Sequence, residues 1–320
     1  MILWITFIVC VVGALALDLG VFNRSPHVIT TKEASIWTSI WVGMAFLFSF
    51  VVYFAFKNGW IDNPTGLSPD HAVIKYITGY LIELSLSVDN IFVIAIIFSS
   101  FAIPPKYRHE ILFYGVLGAI IFRAVMIIFG VALINKFSWI IYVFGVFLIY
   151  TAIKMLNHKS EDFDPTQSKM LIWIKKIFPV TYEMEGDKFF IERGGTRLAT
   201  PLFVTLIIVE LTDVMFAIDS IPAILAVTTD TFLVFSSNIL AIMGLRSMFF
   251  LISGMLDKFR YINYSLVAIL AFVGIKMLLS SYVHFPEWAS LGFIVVSLAL
   301  GILFSIYKPG ETAIEEQKHS

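Results

Sequence analysis

The chain has 320 residues, 59% hydrophobic and only 14% charged, with a formal net charge of −1. Soluble domains carry about 25% charged residues, so this composition belongs to the membrane class. The small net charge provides no basic field for nucleic acid. The single cysteine, Cys10, rules out a disulfide framework within the chain and a CxxC or Cys/His zinc pattern.

The N-terminal run MILWITFIVCVVGALALDLGVF has no basic residue before its apolar stretch. It reads as a first membrane span rather than a cleavable signal peptide. Apolar runs of helix length recur nine times, near 2–22, 34–56, 72–101, 111–134, 138–156, 199–227, 233–255, 261–283 and 287–307. The breaks between them carry turn chemistry: Asn58-Gly59, Asn63-Pro64-Thr65-Gly66, Pro104-Pro105 and Pro286. One connection is long, 157–198. It holds a weakly amphipathic stretch, Lys169–Ile177, and a hairpin candidate at Phe189–Arg193 followed by Gly194-Gly195. The expected fold is an all-α polytopic membrane bundle of about nine helices forming one domain, 1–320.

Lys and Arg cluster in alternate connections, including Arg24, Lys32, Lys106, Arg108, Lys258, Arg260, Lys308 and seven basic residues of 157–198. The opposite set holds only Lys57, Lys75 and Lys136. This bias places the N-terminus outside, with the long loop and the C-terminus in the cytoplasm.

Two segments of the chain are alike. Glu83-LSLSV-Asp89-Asn90-Ile91 matches Asp213-VMFAI-Asp219-Ser220-Ile221. Arg123 then aligns with Arg246, Lys136-Phe137 with Lys258-Phe259, and IKML at 153–156 with IKML at 275–278. The order and spacing of these landmarks predict two three-helix repeats, 72–156 and 199–283. Helices 2–22, 34–56 and 287–307 are extra to them. An odd number of spans per repeat inverts the second copy, an organisation shared by many transporters.

Glu83, Asp89, Glu210, Asp213 and Asp219 fall near the centres of their spans. A charge there costs roughly 2.5–3.5 kcal/mol on insertion scales, and such residues mark ion or proton paths. Arg123 and Arg246, also central, are the expected charge-balancing partners. Five carboxylates against two guanidiniums leave a formal −3, which one divalent cation reduces to −1. This arithmetic suits cation binding with proton exchange. The remaining donors are the Asn90 amide and the hydroxyls of Ser87, Thr212 and Ser220, so the chemistry is all oxygen and suits Mn²⁺, Mg²⁺ or Ca²⁺. Met215, between the second pair of acids, is more simply a space-filling residue than a thioether ligand. Residues six apart differ by about 240° around a helix. Glu83 and Asp89 therefore do not share a helix face, and neither do Asp213 and Asp219, unless a helix unwinds. Pro222 is where the sixth span is expected to kink or break. Glu210 and Asp213, at i and i+3, do share a face.

The segments ALDLGVFNR (16–24), GYLIELSLSVDNIFV (79–93) and ELTDVMFAIDSIPAI (210–224) resemble the TerC/Alx family of bacterial membrane proteins. The resemblance runs from about residue 12 to 307, and the long central loop is most similar to the Alx branch. It implies a LysE-like transporter exporting manganese across the bacterial inner membrane. Glu83, Asp89, Asn90, Glu210, Asp213, Asp219 and Ser220 fall on the family's motif positions. The expected partners are the lipid bilayer, a divalent cation and protons, with no enzymatic activity and no bound cofactor. A second reading stays open at this point: a non-transporting scaffold or stress-resistance subunit acting through the 157–198 loop.

Overall fold

A computed structural model describes residues 2–17, 29–63, 66–137, 139–157, 171, 174, 176–181, 183–193, 195–253, 261–280, 282–283, 285 and the rest through 307. Among these residues the helices are α1 (Ile2–Leu17), α2 (Thr31–Lys57), α3 (Pro69–Ser100), α4 (Pro105–Lys136) and α5 (Ile140–Asn157). After a two-stranded hairpin come α6 (Pro201–Leu225), α7 (Thr231–Ile252), α8 (Ile262–Leu279) and α9 (Glu287–Tyr307). Six of these helices are long and apolar enough to cross a bilayer, and α1, α5 and α8 are shorter apolar helices.

Helix starts follow local chemistry. Thr30 and Ser68 cap α2 and α3 by accepting from the backbone N–H of Glu33 and His71. Asp230 caps α7 through the N–H of Leu233 at 3.0 Å. Pro69, Pro105 and Pro201 stand in the first turns of α3, α4 and α6. A proline there gives up an N–H that has no partner within the helix anyway. The expected break at Pro222 does not occur, because α6 runs unbroken through it to Leu225. The proline removes one hydrogen bond, the one residue 222 would donate to the Ile218 carbonyl, and the helix ends within the following turn.

The largest packing interfaces are α5 on α8, α3 on α7, α2 on α7 and α4 on α6, with α3 also on α6 and α4 on α7. The larger interfaces among α3–α8 are preserved when α3, α4 and α5 are exchanged for α6, α7 and α8: α3 on α7 becomes α6 on α4, and α5 on α8, α3 on α6 and α4 on α7 map onto themselves. Where α5 crosses α8, Gly145 and Gly274 lie backbone to backbone. A Cβ on Gly274 would come 2.8 Å from the Gly145 carbonyl oxygen. Small residues allow this approach, and in lipid close packing replaces the hydrophobic drive between helices. Helix α1 packs through Trp4 and Phe7 against Phe232 of α7, and Phe7 also meets Phe48 of α2. The outward faces stay apolar, with Phe50 on α2, Val125 and Phe129 on α4, Val146 on α5 and Phe304 on α9 all exposed. Such a belt suits a bilayer as solvent.

The hairpin joins β1 (Phe190–Arg193) to β2 (Thr196–Ala199), in antiparallel register with Phe190 opposite Ala199. It is where the sequence places it, one residue later. Gly195 takes φ +77° in its turn. The hairpin is docked on the bundle: Phe190 packs on Phe203 of α6, and Phe189 on Tyr114 of α4. Of the amphipathic stretch 169–177, Leu171 and Ile174 are described and buried, and most of the rest lies outside the described residues.

Candidate functional site

Arg123 is the centre of the site. It is 1% exposed, and it is carried into the core by α4. Its Nε donates to Oδ2 of Asp213 at 3.1 Å and its Nη2 to Oδ1 at 2.8 Å, a two-point match of guanidinium to carboxylate. Its Nη1 donates to Oε1 of Glu83, which is fully buried on α3. The same nitrogen lies 3.5 Å from Ser220 Oγ. One arginine from α4 thus joins a carboxylate from α3 to a carboxylate from α6. Asp213 and Ser220 are seven residues apart, close to two full turns, so one face of α6 presents both.

Asn238 of α7 completes the constellation. Its Nδ2 donates to Oε2 of Glu83 at 3.0 Å, so each oxygen of Glu83 has its own donor. Four helices meet here: α3, α4, α6 and α7. A buried ion pair survives when its remaining lone pairs and protons are satisfied, and this pair has that support.

The other acids take different places. Glu210, one turn before Asp213, lies over Gly118 of α4. A Cβ at position 118 would fall 2.0–2.4 Å from the Glu210 carboxyl group. Gly118 is therefore the space that admits this side chain. Oε2 of Glu210 is buried with no hydrogen-bond partner in the protein. Asp219 turns to α5, where Thr151 Oγ1 donates to its Oδ1 at 3.1 Å. The 240° rotation between Asp213 and Asp219 is thus realised on a regular helix. Asn90 is buried on α3, and Arg246 is half-buried on α7. Asp89 belongs to α3, and its side chain lies outside the described residues. Met215 is 51% exposed, so it is neither a ligand here nor the filler between helices that the sequence suggests. Thr212 donates its hydroxyl back to the Ile208 carbonyl at 2.7 Å.

Among the described residues, no three of His, Cys, Asp and Glu stand together as a ready metal cage. The physical reason lies in the arrangement itself: Glu83 and Asp213 converge, but on a guanidinium. The oxygens are nonetheless of the kind a hard divalent cation takes. Asn238 Oδ1 and Ser87 Oγ, like Glu210 Oε2, are buried without a hydrogen-bond partner in the protein.

Three functional residues escape a motif reading. Asn238 carries a signal, an amide in the middle of the apolar run FLVFSSNILAIM. Gly118 and Thr151 carry none, since glycine and threonine are ordinary in membrane helices.

The chain is similar throughout its length to known proteins. The profile of the integral membrane protein TerC family matches residues 68–313. A Myxococcus xanthus protein described as uncharacterized membrane protein STKORF319 is 46% identical over 306 residues, covering 96% of this chain and 92% of the relative. Proteins described as putative membrane-bound redox modulator Alx are similar as well. That of Photorhabdus laumondii is 41% identical and covers 98% of both chains. That of Escherichia coli K12 is 40% identical over 95% of this chain and 94% of its own. No solved structure matches the chain.

Proposed function

The chain belongs to the TerC family of integral membrane proteins, and from that premise we propose that it is a secondary transporter exporting a divalent cation, Mn²⁺, across the bacterial inner membrane. The observation that carries the reading is the convergence of Glu83 and Asp213, from two different helices, on buried Arg123. Burying three ionised groups in a membrane bundle is costly, and such groups in membrane proteins line ion paths.

Arg123 acts in this reading as a tethered stand-in for the cargo. It neutralises Glu83 and Asp213 when no cation is bound. An entering Mn²⁺ competes for the same carboxylate oxygens, and Arg123 shifts toward Ser220 or withdraws along α4. Glu210 serves as a further ligand or carries a proton in exchange. Asp219, held by Thr151 of α5, forms a second station along the path. The oxygen donors suit Mn²⁺ and also accept Ca²⁺.

The exchange symmetry of the contacts among α3–α8 supports two inverted repeats, and rocking one against the other would supply alternating access. The distribution of Lys and Arg supports an outside N-terminus and a cytoplasmic hairpin.

The test is Mn²⁺ flux in proteoliposomes. Asp219→Asn is the informative variant, because Asp219 is not bound to Arg123 and its loss leaves the buried ion pair whole. Glu83→Gln is its companion. Both variants are expected to abolish flux in folded protein. Unchanged flux in both would sink the assignment.

A further inference from the structure

Asn238 is fully buried in α7, and its carboxamide has two ends with different fates. The nitrogen donates to Oε2 of Glu83 at 3.0 Å. The oxygen accepts nothing from the protein. The amide cannot be turned round to remove this asymmetry. Glu83 is paired with the guanidinium of Arg123, and a carboxylate in an ion pair serves as acceptor, so the nitrogen is the end that faces it. The oxygen is thereby fixed beside Glu83 with its lone pairs free. One turn beyond Glu83 on the same face of α3, Ser87 Oγ is likewise buried and unpartnered.

A buried polar atom left without a partner loses its hydration and gains no hydrogen bond in return. Two such oxygens, one on the amide that holds Glu83 and one a turn along α3 from it, are expensive for a purely structural core. Leu and Ala would fill the same positions in a membrane helix at no such cost. Oxygens of this kind are those that replace the hydration shell of a hard cation.

We infer that Asn238 Oδ1 and Ser87 Oγ are neutral oxygen ligands for the transported cation, placed beside Glu83. The inference rests on the transport reading above; it adds Asn238 to the ligands and gives Ser87, a donor already expected from the sequence, a buried free oxygen one turn from Glu83. Neutral oxygens lend coordination without adding charge. They therefore let the site hold a dehydrated divalent ion while still releasing it. The nitrogen of Asn238 meanwhile keeps Glu83 turned toward the same point.

The test compares Mn²⁺ KM and maximal flux in proteoliposomes for N238L, N238D and S87A, with thermal unfolding of each in detergent. N238L keeps the branched shape and removes both the oxygen and the nitrogen that holds Glu83. S87A removes a hydroxyl that holds nothing else. Both are expected to fold and to raise the Mn²⁺ KM about 10–100-fold, the range seen when outer groups of metal sites are lost. N238D restores an oxygen at the same place and is expected to return KM toward the wild-type value. KM within about twofold of wild type for both N238L and S87A would overturn the inference while wild-type flux upheld the transport reading. A folded N238D as impaired as N238L would assign Asn238 to holding Glu83 alone, which also overturns it. If N238D does not accumulate, N238L and S87A decide. Absence of flux in the wild-type protein would instead remove the transport reading.

Discussion

Arg123 and Asp213 meet edge to edge, Nε to Oδ2 at 3.1 Å and Nη2 to Oδ1 at 2.8 Å, although 90 residues separate them in the chain. The contact joins α4 to α6 at the depth where Glu83 of α3 also reaches the guanidinium. The predictions follow from this and three other contacts.

Arg123→Ala leaves Glu83 and Asp213 buried and uncompensated. Breaking a buried pair from one side costs about 3–5 kcal/mol. Thermal unfolding in detergent should show a large loss of stability, or the protein should fail to accumulate. Arg123→Lys keeps the charge but not the planar fork, so it should fall between the two. A wild-type unfolding temperature for the alanine variant would contradict the central role of the pair.

Gly118→Ala drives a methyl group into the Glu210 carboxyl group, to 2.0–2.4 Å. Either Glu210 or α4 must move. Overpacking of this kind costs about 1–3 kcal/mol. Gly115→Ala, one turn earlier, meets only Val209 at 3.4 Å and is the control. The expected result is impaired Mn²⁺ flux for position 118 alone, and equal flux for the two variants would remove Glu210 from the path.

The α5–α8 crossing makes a separate prediction. Gly274→Ala places a Cβ 2.8 Å from the Gly145 carbonyl oxygen and 2.8 Å from the Ile149 side chain. The helices must part, at a cost of about 1–3 kcal/mol. Gly13→Ala in α1 meets nothing within 4 Å and should be neutral. Unfolding curves of the two variants give the comparison.

Residues 183–196 separate transport from a scaffold role. Replacing this segment, which holds β1 and the hairpin turn, with a short Gly-Ser connection removes the Phe190–Phe203 contact but none of the groups around Arg123. Mn²⁺ flux should persist within about threefold, since the flexible connection adds little closure entropy. Loss of flux in a folded variant would favour a function seated in the loop.

Much of this protein is legible along the chain. The positions of α2 to α9 follow from apolar runs of bilayer length and from caps and prolines at their starts. The hairpin follows from its paired glycines, and the acidic residues stand out because charge is expensive there. These signals are local, and in lipid each helix must satisfy its own backbone hydrogen bonds, so hydropathy alone locates it. Helical periodicity also separates Asp213 from Asp219, and α6 keeps that separation by running regularly through Pro222.

Partnership is a different matter. Nothing local says that Arg123 meets Glu83, 40 residues away, and Asp213, 90 away, or that Asp219 turns to Thr151. Those choices depend on how far each helix is rotated and how deeply it packs. Small residues govern both: Gly118 admits Glu210, and Gly145 with Gly274 brings α5 onto α8. Asn238 shows the same limit, because an amide in an apolar run announces only that it needs a partner. The sequence by itself determined which helices exist and which charges they bury. Only the tertiary structure decided which charges face one another, because that depends on contacts between helices distant in the chain.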